Sequence, residues 1–434
     1  MRLLFIHQNF PGQYRHLAAH YAAQPGCEVV AVGDKANALR PIPGVKLLGY
    51  GFEEPKPGAF ETPVVRAIAR GRAVAAGAAQ LRRSGFRPDV IFAHIGWGEG
   101  LFLKDIFPEA RILLYCEFFY RARGSDMGFD PEFPPTAEKL LRLRVMNSPL
   151  LMSLDAADWG QVPTRWQQRQ FSAPYADRMT VVHDGVDTDA VSPGEPGEEE
   201  LITYVARNLE PYRGFHVFMR AIPEIQRRRT KARIAIVGGD EVSYSPRLPC
   251  GQNYRERLLR ELEGKIDLAR VHFLGRIPYG DYVSLLRKSS VHVYLTYPFV
   301  LSWSLIEALS AGCLVVGSRT PPVEEVIRHE ENGLLVDFFS TEQIAAAVDH
   351  AIQRKNQLQP LRESARRTAV ERYDLKRVCL PAQLRLVAQL AAAKLKRQSA
   401  DTRAAANVQH LAGDEARVAV GKEHHGARDV VRLS

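Results

Sequence analysis

Residues 294–337, YLTYPFVLSWSLIEALSAGCLVVGSRTPPVEEVIRHEENGLLVD, decide how the rest of the chain is read. The stretch predicts strand, Pro-containing loop, short helix, strand, loop and helix. Ser302 is placed to cap a helix whose apolar residues Leu305 and Leu309 recur one turn apart. Gly312 is placed to stop that helix, and residues 314–316 form a short buried strand. Glu307 is the single acid on the helix, one turn beyond Trp303. A charge there, beside a loop aimed at a helix N-terminus, suits a ligand site better than a packing unit.

Working outward, a chain of 434 residues is too long for one ordinary core, so two domains are expected. The net charge of +9 is moderate for this size. It permits attraction to anionic substrates or a membrane surface, but a nucleic-acid binder needs a clustered basic element, and no nucleic-acid partner is expected. Cys27, Cys116, Cys250, Cys313 and Cys379 are far apart, odd in number and without a CxxC pair. They predict reduced, mostly buried thiols of a cytosolic protein. No apolar run is long enough for a spanning helix. The opening MRLLFIHQNF turns polar at His7 and lacks a small-residue cleavage site, so it reads as a first buried strand.

In chain order, residues 2–6 are that strand, 7–12 a loop with Pro11 and Gly12, 14–23 a helix and 28–33 a second strand. A βαβ opening predicts a parallel sheet with ligands at the carboxyl ends of its strands. Gly12 sits where backbone can approach a phosphate at a helix N-terminus, and equally where a turn needs glycine. Residues 62–83 are helical and carry Arg66, Arg70, Arg72, Arg82 and Arg83 among alanines. Such a helix can rest peripherally on anionic lipid, although a solvated outer helix is the blander reading.

Residues 89–93 form a strand running into HIGWGEG, with a helix from Leu101. Gly96, Gly98 and Gly100 do not match GxGxxG, and this is not the first strand–helix unit. His94, at the strand's end, is placed for substrate contact or for a structural hydrogen bond. The strand 111–116 ends at Glu117, and a carboxylate just past a strand's carboxyl end commonly faces the cleft in this architecture. Residues 120–135, rich in Gly, Asp, Phe and Pro, read as a mobile loop of the lid type. A helix at 140–152 follows, and strands at 157–162 and 179–183 complete the first sheet.

HDGVDTD (183–189) leads into SPGEPGEEE, a linker signal that divides a domain at 1–183 from the rest across a linker at 184–200. Asp187 and Asp189 make a lone DxD, a weak basis for a metal. The pattern then restarts, with strands at 201–206, 233–237, 271–274 and 291–295 and helices between them, including 217–228. A second doubly wound domain over 201–374 follows. Residues 396–434 lose their periodicity and predict a disordered or weakly helical tail, in which His424 and His425 need no metal.

RNLEPYRGF (207–215) and YPFVLSWSLIEALSAGCLVVGSRTPPVEEVI (297–327), with HQNFPGQYRHL (7–17) and HDGVDTD, resemble family 4 of the retaining glycosyltransferases. The likeness runs through about Gln389. It implies an α/β, GT-B fold: two Rossmann-like doubly wound domains facing across a cleft, the C-terminal one holding a nucleotide-sugar donor. It also implies a last helix, 375–395, crossing back to the first domain. Arg207 and Arg213 stand where relatives place an Arg and a Lys against the leaving diphosphate, and Arg213 adds a bidentate fork. The amides of Val300, Leu301 and Ser302 would face the diphosphate, and Glu307 matches the second acid of a paired-glutamate motif, which binds the donor ribose. Arg276 and Ile277 lie where relatives contact the nucleobase.

Two departures stand out. Phe299, eight positions before Glu307, replaces the acid that grips the donor sugar, and Glu117 stands where many relatives carry a His near the reacting carbon. Glu117 and His94 are the candidates for the reacting centre. The resemblance implies metal-independent, cofactor-free, retaining transfer of a hexose from a nucleotide diphosphate sugar to a glycan or lipid-linked acceptor. Phe299 and Glu117 also raise a sugar-nucleotide-binding protein without transferase activity. An epimerase on the same fold is disfavoured by the missing pair of cleft acids.

Overall fold

The computed structural model describes residues 1–56, 60–194, 197 and 199–393, so the tail expected at 396–434 and part of the linker lie outside the described residues. Two parallel sheets organise the chain. The first runs β3-β2-β1-β4-β5-β6-β7, with β1 at Arg2–Ile6, β2 at Glu28–Asp34, β3 at Val45–Tyr50, β4 at Val90–His94, β5 at Arg111–Tyr115, β6 at Trp159–Val162 and β7 at Met179–Val181. The second runs β10-β9-β8-β11-β12-β13, with β8 at Leu201–Asn208, β9 at Arg233–Gly239, β10 at Val271–Gly275, β11 at Val291–Tyr294, β12 at Val315–Ser318 and β13 at Leu334–Val336. Each sheet reverses its winding direction once, where β1 pairs with β4 and where β8 pairs with β11. Ligand crevices of doubly wound sheets open at such reversals.

The central strands are buried on both faces, which is why β1 and β4 read as nearly unbroken apolar runs. β3 escaped the sequence reading because it is an edge strand, VKLLGY, with only Tyr50 buried. The helix expected from Leu101 is a single turn, Leu103–Ile106. Before it, Gly98 has a φ of 86°, and a Cβ there would meet the Ala67 carbonyl oxygen at 2.3 Å. Gly98 of HIGWGEG therefore serves a close approach to the Thr62–Arg83 helix.

That helix has the expected bounds, and three of its five arginines are engaged within the protein. Arg70 is buried, 3.9 Å from Asp34 and 4.8 Å over the Phe52 ring, and Arg66 pairs with Glu54 at 2.7 Å. Arg82 donates to the Ile106 carbonyl at 2.9 Å. At the domain junction the DxD acids are also engaged: Asp187 pairs with Lys376 at 3.0 Å and Asp189 with Arg377 at 2.9 Å.

Two connections fix one sheet against the other. After a wide turn at Leu375–Cys379 the chain continues helically through 380–393, and Leu386, Val387 and Leu390 join Leu3, Phe5 and Phe10 in the first domain's core. Second, the loop 120–135 is anchored rather than mobile, which corrects the lid reading. Asp126 accepts from the Tyr212 hydroxyl at 2.7 Å, and Asp130 accepts from the Tyr297 hydroxyl and lies 2.9 Å from His216 Nε2. Glu132 meets Arg220 at 2.6 Å and Arg257 at 2.7 Å, while Phe129 lies against Tyr297 and Phe338. The Asp and Phe content that suggested a solvated loop is what anchors it to the second domain.

Burial alone would raise the Asp130 carboxyl, but hydrogen bonds from His216 and Tyr297 outweigh it and hold the group below its ordinary value. Asp130→Ala, which strands two buried polar partners, is expected to lower unfolding stability at pH 7 by about 3 kcal/mol. A depressed carboxyl stabilises fully above its unfolded value and loses that contribution as pH falls through the folded one. The gap between wild type and variant in urea unfolding should therefore close below about pH 4.

Candidate active site

The loops at the carboxyl ends of β1, β4 and β5 bring His7, Gln13, His94 and Glu117 together. His7 Nδ1 accepts from the Asn9 amide at 3.0 Å, leaving Nε2 to donate to Gln13 Oε1 at 2.6 Å. Gln13 Nε2 donates in turn to Glu117 Oε1 at 3.2 Å. His94 is arranged likewise: Nδ1 accepts from the Gly96 amide at 3.0 Å, so Nε2 carries the proton and faces Glu117 Oε2 at 3.4 Å. Its ring stacks on Trp97 with centroids 3.8 Å apart.

Glu117 thus sits between two imidazole-led donors, its side chain 30% exposed. Burial pushes its carboxyl up, but hydrogen bonding from His94 and the nearby Arg207 charge outweigh this and leave it below its ordinary value. His7 itself is lowered to about 3 by burial and by His94, and so stays neutral. Gly12 has a φ of 46°, and a Cβ there would sit 2.4 Å from the His7 ring. The close approach that requires this glycine is to His7, a partner the sequence reading did not consider.

Across from Glu117 lie the loops of the second sheet. Arg207 is exposed at the end of β8 and makes no hydrogen bond or ion pair among the described residues. Arg213 reaches the loop after β11, donating from Nη1 to Thr296 Oγ1 and to the Val300 carbonyl, both at 2.9 Å. The amides of Val300 and Leu301 carry no hydrogen bond within the protein among the described residues. Ser302 differs from expectation, because its amide donates to the Tyr294 hydroxyl at 2.9 Å. Its side chain caps the Trp303–Ser310 helix as expected, accepting from the Ser304 amide.

Glu307 projects from that helix and accepts from the Tyr279 hydroxyl at 2.8 Å and the Tyr282 hydroxyl at 2.9 Å. Burial raises its carboxyl although both tyrosines oppose the shift. Arg276 is exposed and bonds to Glu241 at 2.7 Å and Asn208 at 3.0 Å, while Ile277 is half-buried against the second domain's core. Phe299 does not line an open polar site. It is 7% exposed and lies edge-on to Phe118, centroids 4.7 Å apart, and to Tyr212 and Tyr244. An acid at this position would be desolvated against aromatic rings, so phenylalanine fits the surroundings it has.

Residues 25–191 match the model of the glycosyl transferase family 4 group, and residues 186–368 match that of glycosyl transferases group 1. The chain belongs to the glycosyltransferases of GT-B fold. The phosphatidyl-myo-inositol mannosyltransferase of Mycobacterium tuberculosis is 25% identical over 241 residues, covering 54% of this chain and 58% of the relative. The D-inositol 3-phosphate glycosyltransferase of Rhodococcus jostii is 28% identical over 207 residues, 44% of each chain. The matched stretches thus span about half of these relatives' lengths. Among solved structures, sucrose-phosphate synthase from Thermosynechococcus elongatus superposes with a TM-score of 0.69 at 17% identity, covering 91% of this chain and all of that one. Anabaena HepE in complex with UDP superposes with a TM-score of 0.61 at 15% identity over 92% of this chain. At these identities the likeness speaks for the fold.

His7 and Gln13 of this glycosyltransferase's cleft were not singled out in the sequence, and neither was a third residue. Asp184, at the start of the junction, is 7% exposed. Its Oδ2 accepts from the Tyr115 hydroxyl at 2.8 Å and from Trp303 Nε1 at 2.9 Å, joining β5 of one domain to the first residue of the Trp303–Ser310 helix of the other. HDGVDTD signals only a junction, and no local pattern announces a partner 119 positions away. Burial, aided by the Glu117 charge, lifts its carboxyl to about 7 against the pull of Tyr115 and Trp303.

A raised carboxyl pKa makes the folded state bind the extra proton between about pH 4 and 7, so Asp184 costs stability as pH rises through that window. Asp184→Asn keeps an acceptor for both donors and removes the titration. The variant should gain stability relative to wild type between pH 5 and pH 8.5, by up to about 2.5 kcal/mol in chemical denaturation. An unchanged difference would show that Asp184 does not titrate there.

Proposed function

We propose that the protein transfers a hexose, with retention of anomeric configuration and without a metal ion, from a nucleoside diphosphate sugar to a glycan or lipid-linked acceptor. One observation carries this reading. Two arginines and two unbonded amides, those of Arg207, Arg213, Val300 and Leu301, lie at the carboxyl end of the second sheet, facing a charged Glu117 on the first. Leaving-group charge needs such cations and amides, and preorganised ones act without reorganisation at the moment of transfer. Glu307, with Tyr279 and Tyr282, would receive the ribose hydroxyls, and Arg276 with Ile277 would border the base. Relatives named phosphatidyl-myo-inositol mannosyltransferase and D-inositol 3-phosphate glycosyltransferase, and neighbours solved with UDP and UDP-glucose, support a nucleotide-sugar donor of this class.

Glu117 is held ionised beside the position where the donor's reacting carbon would lie. It would stabilise developing positive charge there or accept a sugar hydroxyl, and His94 would orient it. The leaving phosphate can itself take the acceptor's proton on the same face, so no separate protein base is assigned. The burial of Phe299 among aromatic rings favours a second reading, a sugar-nucleotide-binding protein that does not turn over.

Transfer assays over UDP- and GDP-hexoses, with NMR of the product anomer, test the proposal. Activity should survive EDTA, and the anomer should match the donor. Arg213→Gln should lower kcat/KM by roughly 10²–10³. Activity abolished by EDTA and restored by metal contradicts the metal-free reading. Calorimetric binding of UDP or GDP without turnover of any donor favours the second.

A further inference from the structure

The second domain carries another concave site, on the sheet edge opposite the cleft. Ser290 precedes β11 and Gly312 lies shortly before β12, and both line a pocket of about 330 Å³ at the amino ends of these strands. The loops facing Glu117 leave their carboxyl ends, a strand length or roughly 13 Å away. A volume near 300 Å³ lies at the small end of ligand pockets.

The lining is strongly cationic. Among the described residues, Arg287, Lys288, Lys355, Arg362, Arg366 and Arg367 face one carboxylate, Glu363. None of the six makes an ion pair among the described residues. Four are instead held by backbone carbonyls. Arg287 donates to Ala190 and Ser192 O at 2.9 Å, Lys355 to Gly197 O at 3.1 Å, Arg362 to Gly312 O at 3.1 Å and Arg366 to Ser310 O at 2.8 Å. Carbonyl dipoles fix the direction of these cations but do not neutralise them, and like charges gathered in one concavity repel unless an anion joins them. Lys288 and Arg367, both exposed, are not tied by any such bond. Burial lowers the Arg362 and Arg366 guanidinium groups without discharging them.

We propose that this pocket is a second binding site, distinct from the cleft, for a ligand bearing one or more phosphate groups. The N–H groups that the carbonyls leave unbonded, such as those of Arg287 Nη1 and Arg366 Nη2, remain for phosphate oxygens, and the free Lys288 and Arg367 close over the anion. The chemistry is shared by a soluble phosphate compound and by a lipid headgroup. The site requires nothing of the transferase reading.

The test uses the full chain with two probes: inorganic pyrophosphate by calorimetry, and phosphatidylglycerol–phosphatidylcholine vesicles by flotation. K288E/R367E alters two exposed side chains with no hydrogen bond within the protein among the described residues, so its Tm should be no lower than wild type. Arg213→Gln, which touches only the cleft, is the control. Saturable pyrophosphate binding, kept by the control and weakened at least about tenfold in the double variant, supports a soluble phosphate ligand. Vesicle binding without pyrophosphate binding, lost in the double variant and in high salt, supports a headgroup. Equal affinity of wild type and double variant for both probes overturns the proposal, as does no binding of either probe by the wild type at millimolar concentration.

Discussion

Glu117 belongs to one sheet and Arg207 and Arg213 to another, so the cleft exists only because the two sheets are held at a fixed separation. The buried carboxylate of Asp130 is central to that constraint. It leaves the first domain on the loop 120–135 and ends between Tyr297 and His216 of the second. A carboxylate so placed is costly to bury and more costly to strand, which makes the docked position of the loop narrow. Phe118 against Phe299 adds an apolar contact beside it. Glu325 of the second domain accepts from the amides of Arg165 and Trp166 at 2.8 and 2.7 Å, capping the short Arg165–Gln168 helix of the first.

Within that frame the electrostatics divide cleanly. On the first domain's side a relay of neutral donors, His7 to Gln13 to Glu117, holds a carboxylate charged. On the second domain's side cations and unbonded amides wait for an anion. Asp184 lies between, tied to both domains through one oxygen and raised in pKa by its burial. The cleft therefore combines a permanent negative charge, a permanent positive field and a carboxyl that changes state near neutral pH. Phe299 adds nothing polar to this set and instead joins the packing that sets the domain separation.

Much of the architecture was legible from periodicity. Buried parallel strands read as apolar runs because helices cover both their faces, and 62–83 declared its helix by length and composition. Edge strand β3 did not, since half-exposed VKLLGY resembles a loop. Residues 120–135 were misread for a related reason: Asp, Phe and Pro look alike in a lid and in an anchored strap, and only the partner surface distinguishes them. Gly12 was read for a phosphate approach or a turn, and its close neighbour is His7, while Ser302 lost its free amide to Tyr294, eight residues earlier.

The sequence by itself determined two doubly wound domains, their junction, and the residue types in each strand-end loop, because strand and helix periods are local properties. Tertiary structure decided what those residues do. It turned Asp130 and Asp184 into interdomain ties, gave Glu117 its hydrogen-bond relay and buried Phe299 among rings. It also gathered six cations from two helices and a turn into one pocket. Desolvation and charge pairing depend on neighbours a hundred or more residues distant, and no local pattern carries that information.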